Sequence, residues 1–258
     1  MAERLNTNRR PAGLDRSAVR KWGLLCLALG TVGYAIFQNG LLGGLSGQQL
    51  LEAMQADSRV MGYATVAIVL NAINCCATPL FAFLLVEGFA HTGSWIKYLL
   101  RVAGLAVVAE IPFNLAVGGT WFDTTSRNPV FALALVLVML YFFGRFGKEG
   151  VTGFAIKALV TVAGMLWSAM LGIQDGGPLV LLAVIFWAFR SKPVLRMVFG
   201  CVAAFACSMF SPYYIASSIV FIILHFYNGQ KGESNIWVDY ASYPVILLAL
   251  GLVGKYMI

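Results

Sequence analysis

Apolar stretches follow one another along almost the whole chain, with only short polar or basic loops between them. A helix needs about 20 mostly apolar residues to cross a bilayer, and about nine stretches reach or approach that length. The sequence therefore predicts an all-α fold, a polytopic transmembrane helix bundle of about nine spans, with about eight to ten possible. The predicted spans are residues 22–44, 60–90, 96–118, 128–145, 151–172, 177–190, 193–209, 212–228 and 236–256.

Two features of these spans depart from regular helices. The second span, 60–90, is too long for one straight helix, and Pro79 within it offers a kink because proline has no backbone N–H. The spans at 177–190 and 193–209 are short, which fits a tilted or partly re-entrant segment.

The composition excludes an ordinary soluble domain. Hydrophobic residues make up 60% of the chain and charged residues 11%, whereas soluble domains carry about 25% charged residues. Most basic residues lie in short tracts between apolar stretches, as they do in membrane proteins. The net charge of +7 therefore requires no nucleic-acid partner.

The basic residues also predict an orientation, because cytoplasmic loops carry an excess of Lys and Arg. With a cytoplasmic N-terminus, residues 1–21 form a basic cytoplasmic segment and residues 22–258 a single transmembrane domain. We expect a multi-pass protein of a bacterial cytoplasmic membrane, in contact with membrane lipids. The side predicted to be cytoplasmic carries Arg4, Arg9, Arg10, Arg16, Arg20, Lys21, Lys97, Arg101, Arg145, Lys148, Arg190, Lys192, Arg196 and Lys231; the other side carries Arg59, Arg127 and Lys255.

Several common kinds of site leave no signature in the sequence. The five cysteines all fall within apolar segments and lack metal-ligand spacing with the two histidines. The chain contains no GxxxxGK[ST] loop and no HExxH pair. We therefore expect no bound metal and no nucleotide site of those types.

Glu87 and His91 are the first candidates for chemistry. Ionisable residues inside a membrane are costly and mark functional sites by default. The two residues are one helical turn apart at the predicted cytoplasmic end of the second span, so they share a face. A carboxylate that orients an imidazole favours a general base; the alternative is a packing contact for Glu87 and an interfacial position for His91.

Four more polar residues follow in the third span. Lys97 and Arg101 are one turn apart and suit either a phosphate group of a cytosolic ligand or lipid headgroups. Glu110 and Asn114 lie further along, with Pro112 between them weakening the local helix. A carboxylate at membrane depth normally faces a cavity or a polar partner. These residues together predict a polar route from the cytoplasmic face into the bundle.

Several blocks of sequence resemble the TraX family of integral membrane proteins, which is associated with N-terminal acetylation of conjugative pilin. The blocks are "TPLFAFLLVEGFAHTGSWIKYLLR", "EIPFNLA" and "NPVFALALVLVML", and later "YNGQKG" followed by "YASYP". Their order and spacing are similar across residues 78–140 and 226–247. The residues that match the family pattern directly are Glu87, His91, Arg101, Glu110, Pro112 and Phe113.

The resemblance implies an acyltransferase that moves an acetyl or other acyl group from cytosolic acyl-CoA to an acceptor at or beyond the membrane. It implies that Lys97 and Arg101 bind the phosphates of acetyl-CoA. His91, oriented by Glu87, would be the catalytic base. Glu110 and Asn114 would line the path of the acceptor, an exported peptide, a pilin-like protein, a glycan or a lipid.

The chain departs from the family at two polar positions. Members typically carry an Asp-His pair in the first transmembrane helix, where this chain reads "LALGTVGYAIFQN". Members also tend to carry a histidine after the Tyr-Pro near the C-terminus, where this chain has "YPVILL" with Ile246. Because of these departures, a non-catalytic relative of the acyltransferase fold remains an alternative. A small-solute or lipid transporter is the third reading, although the sequence shows no inverted repeat of the kind that many transporters have.

Overall fold

The computed structural model describes residues 13–38, 42–43, 45, 47–146, 150–233 and 235–257. In this part of the chain the backbone is helical and contains isolated bridges but no strand. A 3₁₀ helix (Pro212–Ser217) precedes α10. The α-helices are α1 (Arg16–Gln38), α2 (Gly47–Ala56), α3 (Ser58–Cys75), α4 (Ala77–Ala90), α5 (Trp95–Gly118), α6 (Val130–Phe146), α7 (Val151–Met170), α8 (Gly176–Ala188), α9 (Pro193–Cys207), α10 (Ser218–His225) and α11 (Ile236–Met257).

The apolar helices follow the predicted spans in order, and the predicted all-α membrane bundle is confirmed. Among the described residues, five helical stretches are long and apolar enough to cross a membrane. These are Arg16–Gln38, Ser58–Ala90, Trp95–Gly118, Val151–Met170 and Trp237–Tyr256; the shorter apolar helices are Val130–Phe146, Gly176–Ala188, Pro193–Cys207 and Pro212–His225.

The long second span is two helices that break at Cys76, three residues before the predicted kink at Pro79. Pro79 lies in the first turn of α4 and cannot donate to the carbonyl of Cys75. The Cys76 N–H bonds the Ile73 carbonyl at 3.0 Å, which tightens the last turn of α3. The helix break caused by Pro79 therefore lies about one turn before the proline itself.

The first helix begins earlier than predicted because Asp15 caps it. The Asp15 carboxylate accepts from the Ala18 N–H at 2.7 Å. Arg16 and Arg20 therefore lie on the first turns of α1 rather than in a polar tail. The Arg16 N–H also donates to the Gln230 carbonyl at 2.9 Å, which holds the start of α1 against the loop before α11. Of the predicted cytoplasmic segment 1–21, residues 1–12 lie outside the described residues, as does Lys148.

The third span is one continuous helix. Ser94 caps α5, and its hydroxyl accepts from the Lys97 N–H. The helix runs through Pro112 without interruption and ends at Gly119, whose φ of 64° is left-handed. Pro112 therefore does not break the helix, although it cannot donate to the Val108 carbonyl.

Two short apolar helices, α4 and α8, form the middle of the bundle. They pack on each other, with the rings of Phe83 and Phe186 5.3 Å apart, and α1, α6 and α10 also contact α4. The outer helix α7 instead exposes apolar side chains such as Phe154 and Leu159. This arrangement suits a lipid surround, in which a lipid-facing surface is as apolar as the core.

Two loops are joined at the end of the bundle where α5 and α7 finish. The Arg127 N–H donates to the Gly172 carbonyl, and the Gln174 N–H donates to the Arg127 carbonyl, both at 2.9 Å. The loop before α6 thereby fixes the loop between α7 and α8. In the predicted orientation this is the outer end of the protein.

Candidate functional site: a cavity with a basic mouth

A cavity of about 570 Å³ enters the bundle where α1, α5 and α11 begin and α4 ends. Thr78 and His91 both line it and stand 13 residues apart in sequence, about 20 Å at 1.5 Å per helical residue. The cavity is therefore deep, with a mouth at the His91 end. The residues of the mouth are Arg16, Arg20, His91, Thr92, Tyr98, Arg101, Lys231, Asp239 and Tyr240. The apolar walls include Leu24, Leu27, Phe81, Leu84, Leu105, Leu133 and Leu179. The inner end carries four polar residues, Asn74, Thr78, Asp175 and Tyr243.

The mouth concentrates positive charge from three separate parts of the chain. Arg16 and Arg20 come from α1, Arg101 from α5 and Lys231 from the loop before α11. Asp239 is the carboxylate among the lining residues of the mouth, and it forms an ion pair with Arg20. The remaining cationic groups give the mouth a net positive charge suited to phosphate.

A glycine allows these groups to converge on α4. A Cβ atom on Gly88 would lie 2.5 Å from the Tyr98 hydroxyl oxygen and 2.9 Å from a guanidinium nitrogen of Arg16. Both distances are shorter than ordinary van der Waals contact. Gly88 therefore admits the tyrosine and the arginine against the last turn of α4.

His91 and Glu87 are brought together at the mouth. The His91 Nδ1 lies 2.8 Å from the Glu87 carbonyl oxygen and 3.4 Å from its Oε2. A carbonyl can only accept, so Nδ1 carries a proton and donates to it. The His91 side chain is 70% exposed, whereas Glu87 is buried and also interacts electrostatically with the buried guanidinium of Arg196.

Lys97 and Arg101 differ in their position relative to the cavity. Arg101 lines the cavity and hydrogen-bonds to Tyr240. Lys97 is exposed and is not among the lining residues. The partners of Arg101 at the mouth are instead Arg16, Arg20 and Lys231, which the sequence indicated only as orientation signals.

Glu110 and Asn114 lie outside the lining of the cavity. The Glu110 Oε2 accepts from the Asn128 backbone N–H at 3.1 Å and from its side-chain amide at 2.5 Å. The Asn114 amide donates to the Asp123 carbonyl at 3.4 Å. Both residues therefore hold the loop between α5 and α6, and the structure does not bring them together with His91.

Asp175 is the functional candidate that the sequence analysis missed. It precedes α8 with φ of 56° and ψ of 16°, a left-handed conformation that is uncommon outside glycine. Its carboxylate interacts with the Tyr214 hydroxyl, which lies 3.2 Å from the Thr78 hydroxyl. Desolvation raises the pKa of the Asp175 carboxyl above its ordinary value, and the interaction with Tyr214 opposes part of that rise.

The only sequence signal for Asp175 was an acidic residue in "GIQDGGP", where glycine and proline indicate a turn. The groups that interact with it include Tyr214 and Tyr243, which are distant in sequence. Among the described residues, no three His, Cys, Asp or Glu side chains are grouped as metal ligands would be.

A family model described as TraX protein matches residues 51–254, most of the chain. The chain belongs to the TraX family. No curated protein and no solved structure matches it. In this TraX-family protein the matched region contains His91, Arg101, Asp175 and Lys231, whereas α1, which contributes two arginines to the mouth, precedes it.

Proposed function

We propose that this TraX-family protein is a membrane acyltransferase that takes an acetyl or other acyl group from cytosolic acyl-CoA. The acceptor is an amine or hydroxyl on a membrane-associated or exported molecule, such as a peptide, a pilin-like protein, a glycan or a lipid. The observation that carries the proposal is the shape and chemistry of the cavity: a basic mouth, apolar walls and a polar inner end.

Each part of the cavity suits one part of acyl-CoA. The nucleotide end of CoA carries phosphates, which Arg16, Arg101 and Lys231 bind by charge-assisted hydrogen bonds. The long pantetheine arm passes between apolar walls, where ordered water is excluded. The thioester then lies near the inner end, where Thr78 and Asp175 supply polar groups.

This placement changes the role of His91. A donor whose phosphates bind the arginines carries its thioester about one cavity length away from the mouth. His91 stands at that mouth, and its exposed ring suits a contact with the CoA nucleotide. Glu87 fixes the ring, and Arg101 keeps the phosphate-binding role that the sequence suggested.

The predicted orientation supports a cytosolic donor. The basic mouth belongs to the side on which Lys and Arg are concentrated, and in bacteria this side faces the cytoplasm, where acyl-CoA is made. The membrane location suits a reaction whose donor is cytosolic and whose acceptor is inserted in the membrane or exported.

Acetyl-CoA binding to the purified protein, measured by calorimetry, tests the proposal. Arg16→Ala/Arg101→Ala removes two phosphate ligands, and we expect the affinity to fall by roughly a hundredfold or more, since each charged hydrogen bond contributes about 1.5–3 kcal/mol. Lys97→Ala is the matched control, because Lys97 is exposed outside the cavity. Equal losses in both variants, or no binding by folded wild-type protein, would count against a CoA site and favour a non-catalytic relative or a transporter.

A further inference from the structure

A second cavity, also of about 570 Å³, approaches the first from the side of the bundle. It lies between α7, the start of α8 and Phe210, and its lining is almost entirely apolar. Among the described residues, Asp175 is the one that lines both cavities. The two cavities therefore meet at a single carboxylate.

The second cavity opens on the surface that faces lipid. Val162, Leu166 and Phe210 line it, and all three side chains are more than half exposed. The first two lie on α7, a helix long and apolar enough to cross the membrane. An exposed apolar opening on such a helix admits aliphatic chains from the bilayer rather than water-soluble molecules.

The carboxylate at the meeting point has no cationic neighbour among the described residues. The titratable groups that interact with Asp175 are Tyr34 of α1, Cys75 of α3, Cys207 of α9, Tyr214 of the 3₁₀ helix and Tyr243 of α11. These are hydroxyls and thiols. Asp175 is partly exposed, and it lines both cavities. A carboxyl in apolar surroundings without a paired cation is costly, and such groups occur where a protein uses them for proton transfer.

The left-handed backbone at Asp175 also supports a functional role for this residue. Asp175 is the one described non-glycine residue with positive φ, and it lies between the cavities. Such a conformation persists only when the surroundings hold it, and it is concentrated at functional sites. The Tyr214 hydroxyl, which lies 3.2 Å from the Thr78 hydroxyl, also interacts with the carboxylate.

We infer that Asp175 is the proton acceptor for acyl transfer, and that the acceptor molecule is an amphiphile that enters from the lipid phase through the second cavity. This inference rests on the proposed function, since the acyl thioester arrives through the first cavity. The acceptor consists of an amine or hydroxyl on an aliphatic chain, with the chain in the apolar cavity and the polar group at Asp175.

The step balances without another reactant. The acceptor nitrogen or oxygen forms a bond to the thioester carbonyl carbon, and the carbon–sulfur bond breaks. The acceptor proton passes to the Asp175 carboxylate and then to the departing CoA thiolate. The products are the acylated amphiphile and CoA thiol, and Asp175 returns to its ionised form.

The test measures transfer of labelled acetyl groups from acetyl-CoA to dodecylamine and dodecanol, with ethylamine and ethanol as short-chain probes, by protein in nanodiscs. Asp175→Asn keeps the size of the side chain and an acceptor for Tyr214. We expect it to lower kcat by roughly a hundredfold or more, as removal of a general base does, while acetyl-CoA binding stays within about twofold. Lys97→Ala should retain kcat, because Lys97 is exposed and lies outside the cavity.

A second pair of variants tests the lateral route. Ala169→Trp narrows the second cavity, whereas Met170→Trp is the control, because Met170 is exposed on α7 outside that cavity. We expect Ala169→Trp to raise KM for the long-chain probe by roughly tenfold, and Met170→Trp to leave it unchanged.

The outcomes separate this inference from the proposed function. A wild-type protein that binds acetyl-CoA but acetylates neither long-chain probe overturns the lipid-phase acceptor and leaves the donor site standing. Full activity of Asp175→Asn overturns the role of the carboxylate. Failure of folded wild-type protein to bind acetyl-CoA removes the proposed function, and this inference with it.

Discussion

The Tyr214 hydroxyl lies 3.2 Å from the Thr78 hydroxyl and interacts with the Asp175 carboxylate at the inner end of the basic-mouthed cavity. Tyr214 is fully buried. Its hydroxyl therefore links α4, through Thr78, to the carboxylate that both cavities share.

Removal of the Tyr214 hydroxyl should destabilise the protein. In Tyr214→Phe the buried Thr78 hydroxyl loses its partner and the Asp175 carboxylate loses a polar neighbour, without any change in the aromatic ring, and we expect a loss of about 1–3 kcal/mol. Thermal unfolding in detergent measures the change. Tyr213→Phe is the control on the neighbouring, partly exposed tyrosine, and equal effects of the two substitutions would contradict a specific bond.

The raised pKa of Asp175 predicts a direction for the pH dependence of stability. Since the folded-state pKa is above the ordinary value of 3.8, the folded protein binds more protons than the unfolded chain between the two values. Stability is therefore full below the ordinary value and falls as pH rises through the folded pKa. We expect the melting temperature of Asp175→Asn, measured as a function of pH, to lack this decrease.

The control for that profile is Asp123→Asn. Asp123 is exposed, and hydrogen bonds from Thr125 lower its pKa. Its contribution has the opposite sign: it is present above the ordinary value and is lost as pH falls through the folded pKa. A wild-type profile with the same slope as Asp175→Asn would contradict the assignment of a raised pKa to Asp175.

Gly88 should control the width of the mouth. In Gly88→Ala the new methyl group displaces the Tyr98 hydroxyl and the Arg16 guanidinium, which lie within 3 Å of its position. We expect acetyl-CoA affinity to fall by roughly tenfold. Gly104→Ala is the matched control, because a Cβ atom there meets nothing within 4 Å. Unchanged affinity in Gly88→Ala would show that Arg16 does not contact the donor.

Glu110 should affect stability rather than donor binding. In Glu110→Ala the buried Asn128 loses the carboxylate that accepts from its backbone and its side chain, and we expect a loss of about 1–3 kcal/mol. Glu110→Gln keeps one acceptor oxygen and should lose less. Thermal unfolding and calorimetry together decide the role, since a change in acetyl-CoA affinity in either variant would place Glu110 at the donor site.

The sequence predicted the membrane bundle because each apolar stretch alone carries the signal. Its errors at helix ends have local causes: the Asp15 cap starts α1 six residues early, and Pro79 ends α3 one turn before itself. The separation of Lys97 from Arg101 could not be predicted, because residues one turn apart share a helix face in any helix. Only the packing of α1 and α11 on α5 places Arg101 at the cavity.

The polar inner end of the cavity could not be predicted from the sequence, for a different reason. Asp175 in a glycine-rich turn has the pattern of an exposed loop. What makes it a candidate is its position between the two cavities and its interaction with tyrosines from α1, the 3₁₀ helix and α11, which are distant along the chain. The neighbours of such a carboxyl are a property of the tertiary structure, so one sequence does not reveal them.

Transfer of an acyl group from a cytosolic donor to a membrane acceptor is measured most directly with radiolabelled acetyl-CoA and vesicles of known orientation. Inverted vesicles present the predicted cytoplasmic face to the added donor, and right-side-out vesicles do not. We expect radiolabel in the membrane fraction of inverted vesicles only, and a strong reduction in Arg16→Ala/Arg101→Ala and Asp175→Asn. Labelling that is equal in vesicles with and without the protein, or that requires the opposite face, would contradict it.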